Sequence, residues 1–199
     1  MKVKYSDLKN KRVFITGGGS GIGASIVEHF CEQGSEVYFV DINIKETNRL
    51  LKKIKKNKFR MPNFIECNLL DINKLEKIIK KIISTKGPIH ALVNSAANDD
   101  RHTTDQVDEK YWENRMAINL KHYFFAAKAV VKAMKKIKSG SIVNLSSVSW
   151  MLGEGDKVVY ETAKSAVVGL TRSFAQEYGK YNIRTNSVVP GSIATERQI

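Results

Sequence analysis

Arg12-Val13-Phe14-Ile15-Thr16-Gly17-Gly18-Gly19-Ser20-Gly21-Ile22-Gly23 is the stretch whose reading decides the fold. Arg12 to Thr16 reads as a short strand, rich in β-branched and aromatic side chains. Gly21 to Gln33 reads as a helix, with Ile22, Ile26, Val27 and Phe30 on one side. Between them lies a glycine cluster. Glycines let the backbone turn tightly and approach a pyrophosphate, and the helix N-terminus beyond them stabilises its charge. A lone glycine cluster is compatible with a mere turn, but its place between the first strand and the first helix points to dinucleotide binding.

The same alternation continues outward. Glu36 to Val40, Asn63 to Cys67, Ile89 to Val93, Ser141 to Leu145 and Ile183 to Val188 read as further strands. Helical patterns fall at Ile44 to Lys56, Ile72 to Ser84 and about Val107 to Ile137, and in a last helix that carries Tyr160 and runs to about Tyr178. The aromatic block Tyr123-Phe124-Phe125 reads as core. Alternating strands and helices imply an α/β fold: one parallel sheet with right-handed crossovers and helices on both faces. Ligands of such sheets bind beyond the carboxyl ends of the strands. Gly17, Asp41, Asn68, Asn94, Ser147 and Pro190 each come after a strand. Asp41 can accept both ribose hydroxyls of NAD and would repel a 2′-phosphate. No Arg occupies the glycine turn or the position after Asp41, which favours NAD over NADP; the nearby Lys45 pulls the other way. Asp41 also reads as a helix N-cap.

The bulk numbers agree with one domain. The chain has 199 residues, 42% of them hydrophobic, enough for one sizeable core. No apolar run reaches the length of a membrane helix, and the N-terminal ten residues lack the apolar segment of a secretory signal. Cys31 and Cys67 read as two buried reduced thiols, and a cytoplasmic location is expected. The formal net charge is +13, and Lys dominates. Lys52, Lys53, Lys55, Lys56, Lys58, Lys80, Lys81, Lys132, Lys135, Lys136 and Lys138 recur at helix ends and on polar faces, where cations complement the dipole. Solvated helix faces are therefore the reading, rather than a nucleic-acid surface. The four His residues show no metal-ligand spacing.

Chemistry concentrates in Tyr160-Glu161-Thr162-Ala163-Lys164. A Tyr and a Lys four apart share a helix face. A phenol ionises near pH 10, and an ammonium beside it favours the phenolate. Ser147 lies thirteen residues upstream. With the glycine turn, these residues suggest an enzyme that moves a hydride and a proton.

Taken in order, the glycine turn, Asp41, Asn94-Ser95-Ala96-Ala97, Asn119, Ser147, Tyr160, Lys164 and Pro190-Gly191-Ser192-Ile193-Ala194-Thr195 resemble the short-chain dehydrogenase/reductase family over essentially all 199 residues. The resemblance implies a Rossmann-type doubly wound parallel sheet with strand order 3-2-1-4-5-6. It implies that Tyr160 is the acid/base, that Lys164 lowers its pKa and binds the nicotinamide ribose, and that Ser147 bonds the reacting oxygen. Asn119 would hold a water linking Lys164 to solvent. NAD would be held by Gly17, Gly19, Ser20, Gly21, Ile22, Gly23, Asp41, Ile42, Asn68, Leu69, Asn94, Ser95, Ala96, Tyr160, Lys164, Pro190, Gly191, Ile193 and Thr195. Ala97 departs from the usual Asn-Asn-Ala-Gly pattern and adds a methyl where the backbone nears the cofactor.

Asn98-Asp99-Asp100-Arg101-His102, Trp150-Met151-Leu152-Gly153 and Thr195-Glu196-Arg197-Gln198 resemble the NAD-dependent aldose 1-dehydrogenases of that family. These oxidise the anomeric hydroxyl of a sugar, such as a pentose, to the lactone. Asn98, Ser147, Ser149, Trp150 and Tyr160 are the expected substrate contacts; Asp99 to His102 read equally as an ion-pair knot supporting their loop. The alternatives are a 3-oxoacyl-type ketone reductase on the same scaffold and a non-catalytic NAD-binding protein. The expected partner is a small molecule, with neither nucleic acid nor membrane; full-length members of the family are usually homo-tetramers or dimers. The family normally continues past Ile199 through lid helices, a further helix and a seventh strand. This length is therefore expected to be a single domain lacking the lid and last strand, with an uncovered edge at the sixth strand. Weak NAD binding or poor turnover is expected unless a tail exists beyond the given sequence.

Overall fold

The computed structural model describes residues 3–195. Six strands form one sheet: β1 (Arg12–Thr16), β2 (Glu36–Asp41), β3 (Asn63–Glu66), β4 (Ala91–Asn94), β5 (Gly140–Leu145) and β6 (Ile183–Val188). Their order is β3-β2-β1-β4-β5-β6, and every neighbouring pair is parallel. The helices are α1 (Gly21–Glu32), α2 (Ile44–Lys56), α3 (Ile72–Lys86), α4 (Glu109–Met116), α5 (His122–Ile137), the short α6 (Ser149–Leu152) and α7 (Val158–Tyr178).

The strand alternation sorts the core into two layers. Val13 and Ile15 of β1 and Val37 and Phe39 of β2 pack with Val27 and Cys31 of α1 and Leu50 and Ile54 of α2. Phe14, Tyr38 and Val40 point the other way, toward Leu75 and Ile79 of α3, Val130 and Met134 of α5, and Phe174 of α7. A sheet covered on both faces needs apolar side chains at every strand position, so its strands read as continuous apolar runs. Cys31 and Cys67 are both buried free thiols, and burial pushes Cys31 up to about 12.

Two expectations about helices change. The cap of α2 is Asn43, whose side chain accepts from Glu46 N at 3.1 Å; Asp41 is free of that duty. The helix expected from Val107 to Ile137 is two α-helices joined by a π-helical turn, Ala117–Lys121. One wide turn shifts the register of α5 relative to α4 without disturbing the apolar period enough to be read, and such turns concentrate at functional sites. Buried Asn119 sits in its middle.

The lysine clusters lie on helix faces, as their spacing predicts. Lys52, Lys53, Lys55 and Lys56 line the exposed side of α2, and Lys53 pairs with Glu28 at 2.7 Å. Among the described residues, no helix is long and apolar enough to cross a membrane.

Candidate active site

At the carboxyl ends of the strands lies a cleft of about 720 Å³, within the usual size of a small-molecule or cofactor site. Its walls include Gly17, Ser20, Gly21, Ile22 and Gly23 from the glycine turn, Asp41 and Ile42 at the end of β2, Asn68 and Leu69 after β3, Ser95 to Asp99 after β4, Ser147 and Ser149 after β5, and Tyr160 and Lys164 from α7. Pro190, Gly191, Ile193 and Thr195 close it after β6.

The glycine turn is shaped by close contacts. Gly17 has φ +68°, a left-handed conformation suited to glycine, and a Cβ there would sit 2.6 Å from Ala96 Cα. Gly23 lets α1 start directly against the turn: a Cβ on it would lie 1.9 Å from the Gly17 carbonyl oxygen. Ser20 makes no side-chain cap bond, so the first N–H groups of α1 remain available to an anion. This cradle fits a dinucleotide pyrophosphate.

Asp41 is fixed by the backbone. Its Oδ2 accepts from Gly19 N and its Oδ1 from Asn43 N, both at 2.8 Å. Each carboxylate oxygen keeps a further lone pair for a ribose hydroxyl. Gly19 itself is not in the cleft wall; it packs on Asp41 and Thr47. Arg49, which sequence reasoning missed, also lines this end, and its Nη1 contacts both Glu46 oxygens at 2.8 and 3.0 Å. The available signal was its place on α2, two turns past Asp41.

At the other end, Ser147 Oγ accepts from Ser149 N at 3.2 Å and from Ser149 Oγ at 3.0 Å. Two acceptances leave the Ser147 proton free to be given elsewhere. Ser149 is 3% exposed, lines the cleft beside Ser147 and donates its hydroxyl to it. The neighbouring Ser146 directly follows β5 and donates to Lys164 O at 2.7 Å, fixing α7 to the end of the strand.

Lys164 is almost wholly buried. Its Nζ donates to Leu145 O at 2.7 Å and to Tyr123 Oη at 2.9 Å, and lies 5.5 Å from the Tyr160 ring centroid. The Tyr123 ring is core, as expected; its hydroxyl, four residues past Asn119, is a polar contact that sequence reasoning missed. Burial pushes the Lys164 ammonium down to about 7, with Asp99 acting in the opposite direction. The unfolded chain therefore holds this proton from about pH 7 to 10.5 while the fold releases it, and stability rises with pH across that window. Without cofactor, the difference in Tm between Lys164→Met and the unmodified chain should be more favourable to the variant at pH 6 than at pH 9.5. A difference independent of pH would contradict this.

Asn119 spends its side chain on the loop after β4: Oδ1 accepts from Asn98 N at 2.7 Å, and Nδ2 donates to Asn98 O at 3.0 Å. Asn98 lines the cleft, with its own Oδ1 bonded to Asp100 N at 2.9 Å. Asn94 is not in the cleft wall. It is fully buried, and its Nδ2 donates to Asn144 Oδ1 at 2.9 Å, because the strand pleat turns it inward. Trp150 likewise lies outside the cleft wall. Charged residues of this loop pair with groups outside it: Asp100 with Arg115 at 3.2 Å, and Arg101 with Asp156. Glu196, Arg197 and Gln198 lie outside the described residues.

The chain matches the short chain dehydrogenase family over residues 11–199. It is 42% identical over 194 residues to a D-xylose 1-dehydrogenase of Caulobacter vibrioides, covering 98% of this chain and 76% of that protein. It is 40% identical over 195 residues to a probable galactose dehydrogenase of Rhizobium meliloti, again covering 98% and 76%. The structure of the Thermoplasma acidophilum aldohexose dehydrogenase, in ligand-free form, superposes with a TM-score of 0.84 at 31% identity, covering 96% of this chain and 70% of that one. Fold, strand order, glycine turn and family match converge, and the chain belongs to the short-chain dehydrogenases, oxidoreductases that act on CH–OH groups with a nicotinamide cofactor.

Proposed function

We propose that this chain oxidises the anomeric C1 hydroxyl of an aldose to the lactone, with NAD as the cofactor. The observation that carries the reading is one cleft lined by the glycine turn and Asp41 at one end and by Ser147, Tyr160 and Lys164 at the other. The names of the xylose, galactose and aldohexose enzymes it resembles support an aldose.

When bound, the oxidised nicotinamide supplies the hydride acceptor. The chain's own residues manage the proton. Tyr160, as phenolate, takes the proton of the C1 hydroxyl, and Ser147 gives its free proton as a hydrogen bond to the same oxygen. Burial lowers the Lys164 pKa to about 7, which brings its titration toward neutral pH. The Asn119 side chain, in the π-helical turn, is committed to both backbone groups of Asn98. Asn119 is thus a positioning residue for the loop after β4.

NAD is preferred to NADP for two reasons. The Asp41 carboxylate lies in the cleft wall at the end of β2, where a 2′-phosphate would meet like charge. Arg49, the nearby cation, is already engaged by Glu46. NADP should bind at least about tenfold more weakly, as a repulsion of ~1.4 kcal/mol would give. The test is a panel of aldoses with NAD set against a 3-oxoacyl thioester with NADPH. Sugar oxidation with NAD is expected; turnover with NADPH alone would overturn the reading in favour of a ketone reductase.

A further inference from the structure

We propose that His102 is a positioning residue for Tyr160: it caps the helix that carries Tyr160 and fastens it to the loop after β4. This rests on the assignment of Tyr160 as the proton-transfer group.

The first N–H groups of a helix have no partner within it. In α7 the flanking residue, Lys157, makes no side-chain cap bond. The need is met from 57 residues away: Val159 N donates to His102 Nε2 at 3.3 Å. His102 is only 6% exposed. Since Nε2 accepts, Nδ1 carries the ring proton, and it faces Asp100 O at 3.0 Å and Tyr111 Oη at 2.8 Å. Both ring nitrogens are therefore used, and one tautomer serves both. The Tyr111 ring lies edge-on, 4.9 Å away, and holds the imidazole plane. His102 N also donates to Asp156 O at 2.7 Å, tying the segment just before α7.

The other end of this loop is Asn98, clamped by Asn119. Residues 98–102 thus strap the π-helical turn to the first turn of α7. Tyr160 comes directly after Val159, so the cap fixes the phenol relative to Ser147. A misplacement of about 1 Å at such a distance from the chemistry costs about 100-fold in rate.

The test compares His102→Leu, which fills the space without an acceptor, with His102→Gln, whose amide oxygen can replace Nε2. Turnover is measured with NAD and D-xylose or D-galactose, alongside NAD affinity, Tm, exchange of the Val159 amide and the ring resonances of Tyr160. His102→Leu should lower kcat by about 10- to 100-fold, leave NAD affinity and sugar KM nearly unchanged, expose the Val159 amide and move the Tyr160 resonances. His102→Gln should restore most of kcat and the Tyr160 resonances even if Tm stays low. Equal losses of kcat in both variants, tracking Tm, would reduce His102 to a structural residue and overturn the proposal. So would unchanged kcat or unmoved Tyr160 resonances in His102→Leu. Persistent turnover in Tyr160→Phe would sink the functional assignment instead, and a protected Val159 amide in that variant would show the cap itself intact.

Discussion

Tyr160→Phe is expected to lower kcat by about 1,000-fold, the middle of the range for a lost general acid/base, while NAD affinity stays nearly unchanged. The substitution removes one oxygen and keeps the ring. The ring lies 5.5 Å from Lys164 Nζ, and that nitrogen donates to Tyr123 Oη and Leu145 O, which the substitution leaves in place. The cradle made by Gly17, Gly21 and Asp41 lines the cleft from other elements than α7. Loss of turnover with retained binding therefore separates an enzyme from a protein that only holds the nucleotide. Unaltered kcat would remove Tyr160 from the chemistry.

Gly23→Ala is expected to cause the largest loss of stability, roughly 3 kcal/mol or more, at the upper end of what overpacking costs. The added carbon would fall 1.9 Å from the Gly17 carbonyl oxygen, and backbone cannot step aside as a side-chain tip can. The turn is also pinned from behind: Gly17 N and Gly18 N both donate to Val40 O, at 2.8 and 3.2 Å. Ala96 blocks retreat on the remaining side. Tm should fall by about 6–12 °C on that cost for a chain of this size, and the pyrophosphate cradle should be distorted with it. Gly169→Ala gives the opposite sign. Gly169 lies inside α7 with nothing within 4 Å of its added carbon, so Ala should stabilise by about 0.5–1 kcal/mol. A Gly23→Ala variant that melts no earlier than the unmodified chain would show that the turn can yield at this position.

Much of this site was legible because it depends on short-range patterns. Strand, glycine turn and helix are adjacent in sequence, and Tyr160 and Lys164 share one helix face. The carboxyl ends of parallel strands must lie on one edge, so Asp41, Ser147 and Pro190 could be placed there once the strands were found. The hidden part depends on contacts between distant segments. His102 meets Val159 across 57 residues, and Lys164 meets Tyr123 across 41. Asn94 shows the limit of reasoning from strand ends: its backbone is where a ligand contact belongs, but the pleat turns its side chain toward Asn144. Trp150, offered as a sugar wall by its type, lies in the short helix α6 and outside the cleft wall.

Transfer of a hydride from a sugar to NAD, with Tyr160 taking the proton, is most directly tested by the absorbance of reduced nicotinamide. The purified chain, saturated with NAD, receives D-xylose or D-galactose. A steady rise is expected with at least one of the two sugars, and almost none in Tyr160→Phe. No rise with either sugar, or an equal rise in the variant, would show that the cleft does not work in this way.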